Sequence, residues 1–454
     1  MKYIFLSALL IGSCHAQTVQ QKIDGLIKQT LPHATVGVLI KDAQTGDIIY
    51  KHNADKLLSP ASNTKMLTAA AALYYLGPDY RYITSLFKDN HNVYIKFTGA
   101  PSLTTDDLKQ LLQKLSPSGV KSIPGNVILD TSRFKPPYHS GGDSYDDLGW
   151  YYSAPSTTVI LNGNAVGYSA TTTKLGSPIH IKPDNSNKVI NVINNVITVS
   201  KEQEKYHCEL NIETNTDNIL QLYGCLPQEK NVKKLKLAIP NPTLYAKQLV
   251  KSTLQENHVL LKGNVVEGRV PTQAKLIATH ASDSLTKLLT HMLEESDNLY
   301  ADSVTKLLAY SLTGQGTYKQ GAFAIKKIIA EHSHLDMQQI ELGDGAGNRY
   351  NLITPEQLVV FLTDIYQDEK IKPIFLSALP RMGVSGTLKD RMKKTSLANH
   401  VFAKTGSMHD ISALSGYLTT PEGKTLIFSI ISNGINGDYS KAKTLEEKVL
   451  LAVL

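Results

Sequence analysis

The sequence predicts an α+β fold: an antiparallel sheet flanked by helices, with two nested inserted domains of which the innermost is mostly β. Three observations predict it. A β-hairpin and an apolar helix lie near the start of the chain, three closely connected strands lie near its end, and between them the composition shifts toward Asn, Thr, Val and Ile. Because both ends carry strands typical of one sheet, the simplest architecture builds one domain from both ends and inserts the others into it.

The first sixteen residues, MKYIFLSALLIGSCHA, are typical of a signal peptide. Lys2 provides the basic start, an apolar stretch too short to span a bilayer follows, and Cys14-His15-Ala16 is a roughly A-x-A-like cleavage site. Residues 11–14 also loosely resemble a lipoprotein cleavage box, which would leave Cys14 lipidated. The sequence therefore predicts export, with a mature chain that is either free or anchored by lipid.

The first domain begins with a hairpin and a buried helix. Residues 35–53, TVGVLIKDAQTGDIIYKHN, contain an apolar run, a turn with Gly46 and an alternating stretch, which predicts a β-hairpin. The next element is a helix from Ser62 whose residues from Met66 to Leu76 leave little polar face. A helix that is apolar nearly all round is typically buried in a large domain.

The last third of the chain completes this domain. Strands are predicted at residues 400–407, 411–419 and 424–433, and the turn Thr420-Pro421-Glu422-Gly423 separates the last two. Such short connections predict antiparallel pairing. A final helix at residues 441–454 is expected to pack its apolar face on the sheet.

The middle of the chain predicts the inserted domains. Short strands alternate with one helix at residues 105–115, and the stretch from 165 to 237 shows alternation with frequent Asn turns. We expect three domains in the mature chain. They are a first domain at 17–80 and 271–454, a second at 81–166 and 234–270, and a small β domain at 167–233.

Cysteine content and charge narrow the function classes. Cys208 and Cys225 lie in the small β domain, where an oxidising compartment would join them in a disulfide; the alternative is two buried thiols. The net charge is +7, which suits an anionic substrate or polymer. The sequence has no run of five like charges, and this does not favour nucleic-acid binding. The sequence has no HExxH or CxxC motif, and we predict neither a metal site nor another cofactor.

The polar start of the apolar helix is the first candidate for chemistry. Ser62 and Lys65 stand one helical turn apart, on one face. A buried lysine can lose its proton near neutral pH and activate a serine, and a helix N-terminus favours developing negative charge. The alternative is that Ser62 only caps the helix. S-x-x-K alone is a weak signal. The chain repeats it at Ser85, Ser118, Ser132, Ser284, Ser303 and Ser440.

Two further motifs follow along the chain. S-D-N occupies residues 296–298 at the edge of a helical region, and K-T-G occupies 404–406 on a predicted strand. Gly406 would admit close approach of a ligand, and Lys404 with Thr405 could hold a carboxylate. Taken singly, the first motif is typical of solvated surface and the second of an ordinary edge strand.

S-x-x-K, S-D-N and K-T-G in this order form the motif trio of penicillin-binding proteins and serine β-lactamases. The chain resembles the type-4, class C low-molecular-mass penicillin-binding proteins, the DacB-like D-alanyl-D-alanine carboxypeptidases and endopeptidases of peptidase family S13. The resemblance implies a serine β-lactamase/D,D-peptidase-like first domain and a periplasmic location. The long gap between Lys65 and Ser296 leaves room for two inserted domains. Matching stretches lie at residues 99–103, 152–155, 224–227, 296–302, 344–352 and 386–392.

The resemblance implies a role for each motif residue. Ser62 would attack the carbonyl between the last two D-alanines, and Lys65 would accept its proton. Ser296 would relay a proton toward the leaving amine, coupled electrostatically to Lys404. The backbone N–H groups of Ser62 and Ser407 would form the oxyanion hole.

The same resemblance implies the substrate contacts. Lys404, Thr405 and the adjoining Gly406 would bind the terminal carboxylate, while Asn298 would bind the peptide amide and help to orient Lys65. The expected partners are peptidoglycan stem peptides, and β-lactam antibiotics as covalent inhibitors. No nucleic acid is expected. The sequence leaves the oligomeric state open, with a homodimer as one option.

A pocket for the substrate's upstream side chain is also implied. In relatives with a meso-diaminopimelate pocket, an acid from the inserted domain meets the free amine and an arginine meets the carboxylate. The matching positions are Asp147 and Arg349, with Tyr152 as an apolar wall and Met408 and His409 at the border. The alternative is that Asp147 is a surface acid and Arg349 ties down its own loop.

Two other functions are compatible with the motif trio. A serine β-lactamase would need a deacylating base, and we find no lactamase-type loop with such a glutamate. A non-catalytic wall-binding or sensing module would be expected to lack Ser62, Lys65 or Lys404, and all three are present.

Overall fold

The computed structural model describes residues 18–184, 190–204 and 208–454. The predicted signal peptide, with Cys14, lies outside the described residues. Within them lie eleven α-helices: α1 Val19–Thr30, α2 Thr64–Leu76, α3 Thr105–Gln113, α4 Lys201–Glu204, α5 Pro242–Glu256, α6 Leu285–Glu294, α7 Asn298–Thr313, α8 Tyr318–His332, α9 Pro355–Gln367, α10 Lys372–Ala378 and α11 Tyr439–Ala452. In these three ranges no helix has both the length and the apolar character of a bilayer span.

The same residues contain eighteen strands: β1 Thr35–Asp42, β2 Ile48–His52, β3 Ile83–Lys88, β4 Val93–Lys96, β5 Ser122–Ile123, β6 Val127–Asp130, β7 Ala165–Thr171, β8 His180–Pro183, β9 Asn191–Val199, β10 Leu210–Thr214, β11 Ile219–Pro227, β12 Lys233–Ala238, β13 Leu260–Leu261, β14 Val265–Gly268, β15 Lys275–Ala281, β16 Val401–Met408, β17 Ile411–Thr419 and β18 Thr425–Asn433.

The main sheet is assembled from both ends of the chain. Its order is β16-β17-β18-β1-β2, and every neighbouring pair is antiparallel. β1 pairs with β18 along its whole length, from Thr35 opposite Asn433 to Asp42 opposite Leu426. The predicted hairpin and the three predicted C-terminal strands are confirmed, with ends shifted by no more than about one residue.

Helices cover both faces of the main sheet. Along β1, Val38 and Ile40 pack into a core shared with α1 and α11, whereas Leu39 packs into a core with α2 and α6 to α10. This alternation follows from the two-residue period of a strand. The expected packing of the final helix on the sheet is confirmed, since Leu445 and Val449 of α11 lie in the first of these cores.

The inserted part has three further sheets with three or more strands. One has the order β14-β6-β4-β3-β15, and two three-stranded sheets have the orders β12-β7-β8 and β10-β11-β9. A single hydrophobic core connects them. β15 pairs with β3, so the five-stranded sheet extends beyond the expected boundary at residue 270, and the boundary at 167 falls inside β7. The division into three domains stays a prediction.

A disulfide joins Cys208 to Cys225 in the innermost β region, with Cα atoms 5.4 Å apart. Cys225 is buried on β11, the central strand of its sheet. The structure therefore contains the disulfide rather than two buried thiols.

Candidate active site

Ser62 lies in a short 3-10 turn, Ala61–Asn63, that runs directly into α2. The capping alternative is wrong, because Asn63 occupies the N-cap position and makes no side-chain capping bond. Ala61 has a φ of 45°, a left-handed conformation that a residue with a Cβ adopts only when its surroundings enforce it. Ser62 thus lies in the turn before the helix and does not cap the helix N-terminus.

Lys65 is fully buried in the first turn of α2. Its Nζ lies 2.8 Å from Ser62 Oγ, and it donates to Asn298 Oδ1 and to the Ala346 carbonyl at 2.7 Å each. Burial lowers the pKa of Lys65 to about 8, although nearby carboxylates oppose the shift. A neutral amine at this distance can accept the Ser62 proton.

The S-D-N segment leads into α7. Asp297 is the N-cap, and its side chain accepts a backbone N–H from the first turn of the helix. Ser296, just before it, has a left-handed φ of 58°. Asn298 bridges two parts of the molecule, since its Oδ1 accepts from Lys65 and its Nδ2 donates to the Tyr152 carbonyl at 2.9 Å. The expected contact of Asn298 with Lys65 is present. The side-chain N–H group of Asn298 donates to the inserted part in this structure.

K-T-G lies on β16, at the edge of the main sheet. Lys404 is fully buried, and its Nζ donates to Ser296 Oγ at 2.8 Å and to the Thr405 carbonyl at 2.9 Å. Burial lowers the pKa of Lys404 well below its usual value, and nearby Lys65 lowers it further. Lys404 is therefore placed to act through Ser296, the coupling that the resemblance implies. Its contact with a substrate carboxylate stays a prediction.

Gly406 serves close packing within the protein, where the sequence predicted close approach of a ligand. A Cβ at this position would collide with the Pro60 carbonyl and lie 3.2 Å from Ala61 Cβ. β16 thus passes directly against the turn that carries Ser62. The absence of a side chain at Gly406 lets K-T-G and S-x-x-K come together.

A glycine-rich loop at residues 343–348, to which the sequence analysis assigned no chemistry, lies against the start of α2. Its Ala346 carbonyl accepts the bond from Lys65, and Asp344 Oδ1 accepts three backbone N–H groups of the loop. Gly347 has a φ of 111°, and a Cβ there would collide with the 3-10 turn. The alternating glycines of D-G-A-G-N were the available signal.

A cavity of about 480 Å³ opens beside Ser62. Both the first domain and the inserted part contribute walls. The predicted site residues that line it are Ser62, Asp147, Tyr152, Asn298, Arg349, Ser407, Met408 and His409. Lys65 and Lys404 are buried behind this lining.

The predicted side-chain pocket occupies part of this cavity. Tyr152 OH donates to Asp147 Oδ1 at 2.9 Å. Arg349 donates through Nε to the Gly142 carbonyl at 3.2 Å, so its side chain binds a loop of the inserted part. The structure brings a carboxylate, a guanidinium and an aromatic ring to one cavity, as the resemblance implied.

Three further carboxylates line the cavity: Asp143, Asp302 and Asp344. Burial raises the pKa of Asp143 to about 6, and Asp344 adds to the shift. Burial also raises the pKa of Asp302 well above its usual value, again with a contribution from Asp344. The shift favours the neutral, protonated form of Asp302, so this acid adds polarity to the cavity and not a fixed negative charge. The three positions are far apart in sequence, and no local pattern marked them.

Thr387 is another site residue that the sequence analysis did not single out. Thr405 Oγ1 donates to Thr387 Oγ1 at 2.8 Å. Thr387 lies in the 3-10 turn Gly386–Leu388, inside a stretch that had matched the family without an assigned role.

Comparison with known proteins places the chain among peptidases. The model of the D-Ala-D-Ala carboxypeptidase 3 (S13) family matches residues 19–452. The chain is 28% identical over 433 residues to the D-alanyl-D-alanine carboxypeptidase DacB of Haemophilus influenzae, covering 92% of this chain and 89% of that protein. It is 28% identical to a D-alanyl-D-alanine carboxypeptidase of Actinomadura sp. strain R39, covering 92% and 81%.

A solved structure gives the same result. Penicillin binding protein 4 (dacB) of Haemophilus influenzae matches with a TM-score of 0.86 at 27% identity, covering 94% of this chain and 98% of that chain. A second structure of that protein, complexed with a β-lactam, matches with a TM-score of 0.82. The predicted α+β fold and the predicted family are both confirmed. The chain belongs to the D-Ala-D-Ala carboxypeptidase 3 (S13) family.

Proposed function

We propose that the chain is a serine D,D-peptidase that cleaves the terminal D-Ala-D-Ala bond of peptidoglycan stem peptides through an acyl-enzyme. The observation that carries the proposal is a pair of contacts between a serine hydroxyl and a buried lysine amine. Lys65 Nζ meets Ser62 Oγ and Lys404 Nζ meets Ser296 Oγ, both at 2.8 Å. Each hydroxyl thus has an amine of lowered pKa beside it, as nucleophile activation and proton relay require.

In the proposed acylation, Ser62 Oγ attacks the carbonyl carbon of the penultimate D-alanine while Lys65 takes the hydroxyl proton. The backbone N–H groups of Ser62 and Ser407 stabilise the oxyanion. The C–N bond then breaks, and the proton that Lys65 took from Ser62 passes through the Ser296 hydroxyl, held by Lys404, to the leaving nitrogen, which becomes the amine of free D-alanine. Water hydrolyses the ester and restores the Ser62 hydroxyl. Cross-links between stem peptides would be cleaved by the same steps.

Release of D-alanine from a pentapeptide stem tests this proposal. The wild-type chain is expected to release it, to be trapped by penicillin as a long-lived adduct, and to lose both properties in Ser62→Ala. Rapid consumption of penicillin without D-alanine release would instead indicate a β-lactamase. A wild-type chain that reacts with neither compound would indicate a binding module.

Asp147→Ala is expected to raise KM about tenfold for a stem peptide with a free side-chain amine, because the carboxylate that pairs with the amine is lost. KM for a bare D-Ala-D-Ala ester should stay unchanged. Asp146→Ala is the matched control, since Asp146 is the exposed neighbour and is not part of the cavity lining. Equal loss on both substrates would contradict a side-chain pocket at Asp147.

Gly406→Ala is expected to lower kcat/KM about 10²-fold, because the new Cβ would displace the turn that carries Ser62. The free energy of unfolding should fall by about 1–3 kcal/mol from overpacking. Steady-state kinetics and chemical denaturation measure the two effects. Gly25→Ala is the control, since a Cβ there meets no atom within 4 Å. Unchanged activity in Gly406→Ala would show that β16 does not fix the position of Ser62.

We further propose that residues 1–16 direct the chain to the periplasm. The Cys208–Cys225 disulfide supports an oxidising compartment. The mass of the mature chain from a periplasmic fraction tests this: a start at Gln17 is expected. A lipid-modified start at Cys14 would instead support the anchored alternative.

A further inference from the structure

One loop of the inserted part, residues 138–156, supplies a wall of the cavity; we call it the pocket loop. It carries Asp147 and Tyr152. Its two ends meet, because the Ser156 N–H donates to the Tyr138 carbonyl at 2.8 Å and the Ser156 hydroxyl donates to the same oxygen at 3.2 Å. The loop is thus closed at its base, and the orientation of that base determines where its wall residues stand.

A lysine of the first domain binds both ends of the pocket loop. Lys306 on α7 donates through Nζ to the Pro137 carbonyl at 2.8 Å and to the Ser156 carbonyl at 3.0 Å. The centroids of the Tyr318 and Tyr138 rings lie 4.4 and 5.2 Å from the same nitrogen, a favourable arrangement for an ammonium. Lys306 is fully buried, so these groups replace its water shell.

Burial and the nearby Asp302 carboxyl have opposite effects on the pKa of Lys306. Burial lowers the pKa of Lys306 to about 8, while Asp302 opposes the shift. Tyr318 OH donates to Asp302 Oδ2 at 3.0 Å and lies 2.8 Å from Ser156 Oγ. An apolar side chain could fill this space without the cost of burying a charge. The hydrogen bonds to the loop base are what the ammonium adds.

The helix that carries Lys306 also binds the pocket loop at a second place. Asn298, at the start of α7, donates to the Tyr152 carbonyl and accepts from Lys65. Asn348, in the glycine-rich loop, donates to Ser140 Oγ at 3.0 Å near the base. The pocket loop is therefore bound at several places, and Lys306 adds bonds to Pro137, just before the loop, and to Ser156 at its end.

We propose that Lys306 is a positioning residue that fixes the pocket loop and so sets recognition of the substrate's side chain; this inference rests on the proposed function. Without the ammonium, the buried Ser156 carbonyl and the partly buried Pro137 contact lose their donor, and the base of the loop relaxes. Asp147 would then move away from the substrate amine. Lys65 bonds to Ser62, Ala346 and Asn298 Oδ1, none of them in the loop; only the Asn298 Nδ2 group reaches it, so the chemistry on a minimal substrate should continue.

Steady-state kinetics of the full chain on two substrates test this. One is a meso-diaminopimelate-containing stem pentapeptide, and the other is a D-Ala-D-Ala ester without the upstream residue. Lys306→Met is expected to raise KM for the pentapeptide about tenfold, with kcat on both substrates and KM for the ester changed less than about threefold. Lys306→Arg should recover part of the loss. Lys88→Met is the matched control, because Lys88 Nζ donates to the Ser118 carbonyl, away from the cavity lining.

Equal losses on both substrates in Lys306→Met, or no change on either, would overturn the inference. If that variant does not melt cooperatively, Tyr318→Phe decides, because it keeps the ring beside Lys306 and removes only the hydroxyl. A selective rise in pentapeptide KM would then support the inference, and an equal change would overturn it. A wild-type chain that cleaves neither substrate would overturn both the proposed function and this inference. If the wild-type chain is active and Lys306→Met shows no selective rise in KM, only the inference fails.

Discussion

Lys65→Met is expected to lower the rate of Ser62 acylation by about 10³- to 10⁴-fold, because the side chain 2.8 Å from the Ser62 hydroxyl loses its acceptor nitrogen. Methionine has a similar length and leaves no large void in the buried site. The effect should therefore appear in the rate and not in the fold. Stopped-flow acylation by a reporter β-lactam measures it, and thermal unfolding checks the structure. A variant that reacts within tenfold of wild type would exclude Lys65 as the base.

The pH dependence of acylation tests the same assignment. Burial lowers the pKa of Lys65 to about 8, so the amine is neutral and able to accept a proton above that pH, and protonated below it. The wild-type rate should rise with pH and reach half its maximum near the pKa of about 8. This rise should be absent from Lys65→Met and present in the control Lys88→Met. If the rise of the rate with pH persists in Lys65→Met, it reports the titration of a group other than Lys65.

Lys404→Met is expected to lower kcat/KM about 10²-fold, because Ser296 loses the amine that supports its proton relay. Ser296→Ala should show a loss of similar size. Because the two side chains act as one unit, the double variant should be little worse than either single variant. Steady-state hydrolysis of the pentapeptide provides this cycle. Losses that multiply in the double variant would show that Lys404 and Ser296 act independently.

Local patterns predicted the main sheet well because its strands carry their own periodicity and are joined by short turns. The pairing of β15 with β3 joins segments nearly two hundred residues apart, and nothing in either segment specifies the other. The same limit applies to Ser62. Its position before the helix depends on Gly406 and Gly347, which pack on its turn from distant parts of the chain.

The motif residues could be identified from sequence because their order matches a known trio. The hydrogen bonds that hold the pocket loop could be identified only from the structure. Ser303 and Lys306 show why spacing alone is insufficient. They form the same S-x-x-K pattern as Ser62 and Lys65, but they lie inside α7 and not at its start. There the serine donates to the Gly99 carbonyl and the lysine to the base of the pocket loop. Position relative to the helix N-terminus, not spacing, separates the two pairs.

The intact mass of the purified chain after incubation with penicillin tests the central claim most directly: that Lys65 makes Ser62 a nucleophile at the head of a buried helix. The account predicts that the wild-type chain gains the mass of one drug molecule and keeps it, while Ser62→Ala gains nothing. A Ser62→Ala chain that still gains the drug mass, or a wild-type chain that never gains it, would contradict the account.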